Sequence, residues 1–323
     1  MQVTAVEWVI TIVVILGLFV FDFFAHVRTP HEPTFRESGF WSAVYIGIAL
    51  AFGGFVAWRW GSTFAGEYYA GFVTEKALSV DNLFVFLIIM STFAVPRMYQ
   101  QKALLIGIVI ALVMRGAFIA VGAAAINAFS WVFYLFGAFL IYTAAKLIKE
   151  SGHEAEHEEK RDSRVVALAK RLLPTTDSYD GDKLVTRVDG RRVVTPLLLA
   201  LLAIGFADLL FALDSIPAIY GLTNEPYLVF TANAFALMGL RQLYFLIGGL
   251  LDRLVYLSYG LSAILAFIGV KLVLHALHEN TLPFINGGEH VSVPEISTGV
   301  SLGVILGILV IATVASLLRT RKN

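Results

Sequence analysis

No cysteine occurs in the 323-residue chain, which excludes disulfides, thiolate zinc centres and redox thiol chemistry and leaves oxygen and imidazole as the only metal ligands. Charge is scarce as well. Asp, Glu, Lys and Arg fill 15% of positions against 58% hydrophobic residues, and the mean hydropathy is +0.77, a balance that belongs in lipid rather than in a soluble domain. The 24 basic and 24 acidic residues cancel, so bulk charge points neither to nucleic acid nor to docking on anionic membrane surfaces. Met1 to Val6 carry no Lys or Arg and the apolar run continues through Val20, so the first stretch reads as an uncleaved helix rather than a signal peptide. No nucleotide-binding motif is present to indicate driving by ATP.

A bilayer crossing needs roughly 20 mostly apolar helical residues, and such stretches lie near 6–27, 40–60, 70–94, 103–126, 129–149, 196–222, 228–249, 254–275 and 297–318. The expected fold is therefore all-α and polytopic, with about nine transmembrane helices. A charged segment, 150–194, separates the fifth from the sixth. It carries Lys160, Arg161, Arg164, Lys170, Arg171, Lys183, Arg187, Arg191 and Arg192 and is placed on the cytoplasmic side by the bias of basic residues toward inner loops. Alternation then puts Arg28, Arg36, Arg97, Lys102, Arg253 and the tail Arg319, Arg321 and Lys322 inside as well, with the N-terminus outside and the C-terminus inside.

The rare polar residues repeat. Glu75-Lys76-Ala77-Leu78-Ser79-Val80-Asp81-Asn82 is echoed by Asp208-Leu209-Leu210-Phe211-Ala212-Leu213-Asp214-Ser215, each with an acid and then an aspartate six positions later. Leu112-Val113-Met114-Arg115 is echoed by Leu237-Met238-Gly239-Leu240-Arg241, and the span ending in Lys146 by the one ending in Lys271. Each copy holds three helices, an odd number, so the copies are inverted, a design in which substrate sites lie near the midplane where the repeats meet. The organisation expected is an N-terminal two-helix segment (1–66), a first repeat (67–149), the charged loop (150–194), a second repeat (195–276), and an outer loop with the ninth helix and basic tail (277–323).

An ionised side chain at mid-span costs about 2.5–3.5 kcal/mol on the insertion scale, so Glu75, Asp81, Asp208 and Asp214 must face partners or water. Arg115 and Arg241 are the charge-balancing cations in this count, and two arginines leave about two negative charges that a divalent cation would satisfy and an oxyanion would not. The alternative is a set of fixed ion pairs that sets helix packing. Six helical positions separate two side chains by about 9 Å of rise and roughly 120° of rotation, so one helix cannot chelate an ion with both of its acids. Asp81 and Asp214 are therefore assigned as the central pair donated across the pseudo-axis, with Asn82 and Ser215 supplying neutral oxygens. Glu75 is placed a turn or more toward the outside and Asp208 toward the inside. Pro217 is expected to kink its span and free the carbonyl of Leu213. An all-oxygen site suits manganese, magnesium or calcium.

Asp22, in the inner part of the first span, reads as a further pathway carboxylate or as the partner of Arg28. Lys146 and Lys271, near span ends, are expected to snorkel. His153-Glu154-Ala155-Glu156-His157 has the zincin spacing but sits in a charged loop without the packed context such a site needs. His275, His278, Glu279, Glu289 and His290 gather at the outer end of the eighth span, as an exit site or as ordinary surface.

The stretches Glu75 to Asn82, Phe211-Ala212-Leu213-Asp214-Ser215-Ile216-Pro217-Ala218 and Ala236-Leu237-Met238-Gly239-Leu240-Arg241 resemble the signature segments of the TerC family, specifically its Alx-like branch. The resemblance covers most of the chain. It implies a multi-pass protein of the bacterial inner membrane related to manganese efflux and metal homeostasis, with an association to tellurium resistance, and it matches Glu75, Asp81, Asp208 and Asp214 to the family's intramembrane acids. Where many relatives carry a further glutamate shortly before Asp208, this chain has Gly205, which argues against a two-site or strictly symmetric metal arrangement. The expectation from the whole reading is a secondary transporter that exports a divalent cation, Mn2+ foremost, by exchange with protons. It would have no permanently bound cofactor, no enzymatic activity and no nucleic-acid partner. A membrane scaffold in a metal or tellurite stress complex is the rival reading.

Overall fold

A computed structural model describes residues 1–27, 33–129, 131–150, 174–188, 190–247, 256–280, 282 and 285–320, with the backbone alone for Asp81 and Asp214 among others. The helices are α1 (Ala5–Asp22), extended by a π-helical turn (Phe23–Val27), α2 (Phe35–Trp60), α3 (Ser62–Thr92), α4 (Arg97–Ala128), α5 (Val132–Glu150), α6 (Pro196–Tyr220), α7 (Pro226–Leu237), α8 (Leu240–Ile247), α9 (Leu257–His278) and α10 (Thr298–Thr320). The fold is all-α, as expected. A two-stranded antiparallel hairpin, Val185–Val188 with Arg191–Val194, folds inside the charged loop and had no counterpart in the helical reading.

Seven of the described helices are long and apolar enough to cross a membrane, and they coincide with seven of the nine expected stretches. The other two are the polar ones. Helix α3 has the length, 31 residues, but carries Glu67, Glu75, Lys76 and Asp81. The stretch near 228–249 is two helices, because Met238 turns extended (ψ 136°) and Gly239 adopts φ +74°, the left-handed region that only glycine enters without strain. Thr4 with Glu7 and Thr34 with Glu37 form capping boxes that start α1 and α2.

Packing between the two expected repeats is reciprocal. Helix α3 packs on α7 and α4 on α6, while α5 lies along α9 and α3 also meets α6. First meets second, second meets first and third meets third, the reciprocity that two copies related by a two-fold axis would produce. Gly137 and Gly269 allow the α5–α9 contact, because a Cβ on either would stand under 3 Å from the other's carbonyl oxygen. Helices α6 and α9 are half buried or more along their apolar stretches, whereas α1 and α10 are buried over only about a fifth and α2 over little more. Val6, Val9, Ile10 and Val13 on α1 and Val310, Ile311 and Val314 on α10 remain exposed, as lipid-facing side chains do.

Helix ends that alternation assigns to one side meet each other. The N-terminal ammonium pairs with Glu225 at the start of α7 at 2.6 Å, and Thr11 bonds the Tyr227 hydroxyl at 2.6 Å. At the opposite side Lys102 of α4 pairs with Asp182 of the charged loop at 2.6 Å, and the Tyr179 hydroxyl donates to the Phe93 carbonyl at 2.8 Å. The hydrogen bond from Lys102 holds the Asp182 carboxyl below its ordinary pKa.

Candidate functional site

The centre of the bundle is an ion network built by three helices. From α4, Arg115 donates through Nε and Nη2 to both carboxylate oxygens of Asp208 on α6, at 3.2 and 3.0 Å. Its Nη1 donates to Glu75 Oε1 on α3 and to Ser215 Oγ on α6 at 3.1 Å. Arg115 and Glu75 are wholly buried and Asp208 is 1% exposed. The planar fork suits this bridging role, since it can serve one carboxylate bidentately and keep a third N–H for a second. Glu75 Oε2 is buried and has no hydrogen-bond partner. The hydroxyls of Thr74 and Ser79, one residue before and four after Glu75 on α3, are likewise buried and unpartnered.

This corrects the expected separation of Glu75 and Asp208 toward opposite faces. One guanidinium holds both. Asp208 and Ser215 lie seven residues apart, so they share one face of α6, and Arg115 reaches along that face to Glu75 on the facing helix. Asp81 and Asp214 stand within α3 and α6, but their side chains lie outside what the structure describes, so the expected central pair is neither joined nor separated by it. Asn82 is buried at 4% exposure on α3 and Ser215 at 2% on α6, the latter already engaged by Arg115. Among the described residues no group of three His, Asp or Glu side chains is placed to hold a metal.

Arg241 does not join the central acids. It is the second residue of α8, and its Nη2 donates to Asp22 Oδ1 at 2.8 Å, while Nη1 donates to Gln101 Oε1. The same Asp22 oxygen accepts from the Tyr45 hydroxyl at 2.6 Å and from Gln242 Nε2 at 3.1 Å. Asp22 therefore pairs with Arg241; Arg28 lies outside the described residues. Two small cavities of about 10 Å³ flank this cluster, each with room for about one water. One touches Glu37, Ser38, Gln101 and Arg241; the other touches Asp22, Tyr45, Met238 and Gly239.

The cation that sequence reasoning left out is Lys76. Its Nζ donates to the carbonyls of Ala236 at 2.9 Å and Met238 at 3.3 Å, the oxygens bared where α7 breaks from α8. Two signals pointed to it: a lone lysine beside Glu75 in an apolar span, and a glycine in the middle of the span it faces. Tyr45, Gln101 and Gln242 were missed for want of any charge to flag them. So was Asn233, wholly buried on α7 with both amide atoms unpartnered.

Pro217 does not break its helix. Helix α6 continues from Pro196 through Pro217 to Tyr220, with the Leu213 carbonyl deprived of its donor four residues on, and the chain leaves helical geometry instead at Met238 and Gly239. Lys271 bonds Ser301 Oγ in the first turn of α10 at 3.1 Å. At the outer end of α9, His278 Nε2 lies 3.3 Å from Glu295 Oε1 and His290 Nδ1 meets the His278 carbonyl. Among the described residues these side chains gather no group of three that could hold a metal. The 153–157 histidine tract lies outside the described residues. Gly205 lies on α6 with Ile110 3.7 Å from where its Cβ would stand.

Comparisons with known proteins agree with this architecture. The model of the integral membrane protein TerC family matches residues 60–323. An uncharacterized membrane protein of Mycobacterium tuberculosis is 54% identical over 98% of this chain and 80% of its own length. The thylakoid membrane protein TERC of Arabidopsis thaliana is 42% identical over 75% of this chain and 62% of its own. The putative membrane-bound redox modulator Alx of Escherichia coli K12 is 35% identical over 88% of this chain and 85% of its own. No solved structure matches. With most of its length under the family model and relatives similar along nearly all of it, this chain belongs to the TerC family of integral membrane proteins.

Proposed function

We propose that the chain is a secondary transporter of the bacterial inner membrane, with its N-terminus outside and its C-terminus inside, that exports a divalent metal cation, Mn2+ foremost, in exchange for protons. The observation that carries this reading is a buried carboxylate oxygen of Glu75 with no donor, together with the excess of acids over cations in the repeated motifs. Glu75 and Asp208 share one arginine, and a Glu75 oxygen is left without any donor. Arg241 is engaged by Asp22, so in the count of charges along the sequence the four acids of the repeated motifs, Glu75, Asp81, Asp208 and Asp214, stand against Arg115 and Lys76. Two negative charges remain. In a low-dielectric interior such an excess is relieved by protons or by a visiting cation, and the same group can take either in turn, which is the chemistry of exchange.

All donors in reach are oxygens, which favours manganese, magnesium or calcium over softer metals, and the acid excess opposes tellurite. The redox role in the name of the Alx relative finds no thiol here, since the chain holds no cysteine.

Reconstitution in liposomes loaded with a manganese-sensitive dye tests the proposal. Asp81→Asn and Asp214→Asn are expected to abolish flux while the protein still inserts and remains monodisperse; full flux in both variants removes these aspartates from the site. A pH-sensitive dye in the same vesicles reports exchange, and metal flux without proton movement overturns that part. One observation favours the scaffold reading: the bonds joining Glu75, Arg115, Asp208 and Ser215 tie α3, α4 and α6 together. A folded protein that passes no divalent cation in either direction would establish it.

A further inference from the structure

The α7–α8 break is a cation site made of protein backbone. In an unbroken helix the carbonyls of Ala236 and Met238 would accept from the N–H groups four residues on, but Met238 turns extended and Gly239 takes φ +74°, and both oxygens face the Lys76 ammonium instead. Among the described residues Lys76 has no carboxylate partner, and its ammonium rests on these two neutral carbonyls. A full positive charge resting on carbonyl dipoles within a membrane span is the arrangement by which broken helices and selectivity filters hold dehydrated metal ions. Met238 also lines the small cavity bordered by Asp22, Tyr45, Gly239 and Arg241, so the break adjoins a space that a carboxylate and an arginine reach.

We propose that this carbonyl cradle is a second station for the metal cation, and that Lys76 is a tethered competitor whose ammonium fills the cradle whenever the cargo does not. The inference rests on the transport reading. Lys76 follows Glu75 on α3, so whatever shifts α3 when the Glu75 network gains or loses a cation also moves the ammonium relative to the cradle. The lysine thereby keeps the broken backbone satisfied in the metal-free state and lowers the affinity of the station enough to let the ion leave. A plain staple, holding α3 to α7, is the reading it competes with.

The test separates binding from turnover. Lys76→Met empties the cradle, and Lys76→Gln keeps an N–H donor for the carbonyls while removing the charge, which guards against misfolding of the first variant. Both are expected to bind Mn2+ about tenfold more tightly than the parent in equilibrium dialysis and to transport it more slowly in liposomes, while Lys76→Arg keeps weak binding.

Carbonyl involvement has its own readout. The chain contains five methionines, so labelling with [1-13C]methionine gives few resonances, and the one lost in Met238→Leu is that of Met238. Addition of Mn2+ is expected to bleach this resonance, at lower metal concentration in Lys76→Gln than in the parent. If the parent transports Mn2+ but Lys76→Gln binds it no more tightly, or the Met238 resonance survives saturation, the cradle is a staple and the inference falls alone. A parent that neither binds nor passes Mn2+ overturns the proposed function and this inference with it.

Discussion

The second helix of each half reaches an arginine through a similar run of residues, and the two arginines act in different places. Leu112-Val113-Met114-Arg115 lies within the unbroken 32-residue α4, and Arg115 turns inward to hold an acid from each half. Leu237-Met238-Gly239-Leu240-Arg241 is longer by one residue. In a continuous helix that extra residue would rotate the arginine by 100°; here the chain breaks at Met238 and Gly239, and Arg241 emerges toward Asp22 on α1. One inserted position thus gives the second half a backbone cation site and removes its arginine from the central charge count. Lys76, from the first half, fills the gap that the break opens.

Replacing the two arginines in turn sharpens this contrast, and the largest effect is expected at Arg115. Arg115→Met leaves two wholly buried carboxylates without their cation, and removing one partner of a buried ion pair costs about 3–5 kcal/mol. Loss of the folded monodisperse peak, or a collapse of the melting temperature in detergent, is the expected result. The triple variant Arg115→Met, Glu75→Gln, Asp208→Asn should recover most of the loss, because no buried charge is then unmatched. Arg241→Met leaves Asp22 with the Tyr45 hydroxyl and the Gln242 amide, so a smaller cost of about 1–3 kcal/mol is expected for the lost charged hydrogen bond. Equal melting of the two single variants would erase the distinction between the halves.

What was legible beforehand divides along physical lines. The apolar stretches were readable because a span must satisfy its backbone internally and present apolar side chains to lipid, and all nine positions recur as helix, two of them in the polar forms α3 and α7–α8. Intramembrane charge is costly enough to stand out, so Glu75, Asp208, Arg115, Arg241 and Asp22 were found from sequence. Their pairing was not. It depends on where a side chain points after a helix breaks, and neither Gly239 nor Pro217 reveals from sequence alone which of them breaks the chain. Lys76 was passed over because a lysine can be satisfied by neutral carbonyls, which leave no charged partner to pair it with in a count.

Gly239 itself sets the next largest effect. An alanine there must hold φ +74°, which costs an L-residue about 1–2 kcal/mol, and its Cβ would stand 3.1 Å from Tyr45 Cβ, beside the hydroxyl-bearing ring that serves Asp22. Gly239→Ala is expected to lower thermal stability by at least that strain and to perturb the Asp22–Arg241 cluster. A Gly239→Ala variant with parental stability would mean that the chain can straighten here, and that the break is not imposed by this residue.

The smallest effect has the opposite sign and comes from a glycine in the same half. Gly205 lies inside α6 in ordinary helical geometry, and a Cβ there would meet Ile110 Cγ2 at 3.7 Å, a normal contact. Gly205→Ala should therefore stabilise the protein by about 0.5–1 kcal/mol, the entropy that a mid-helix glycine forfeits, and leave the Arg115 network in place. Two glycines of one repeat would then respond in opposite directions, one because the backbone needs its left-handed freedom and one because nothing nearby uses it. If Gly205→Ala instead destabilises as Gly239→Ala does, α4 and α6 approach at Ile110 too closely for a methyl group, and Gly205 is a packing contact rather than open space.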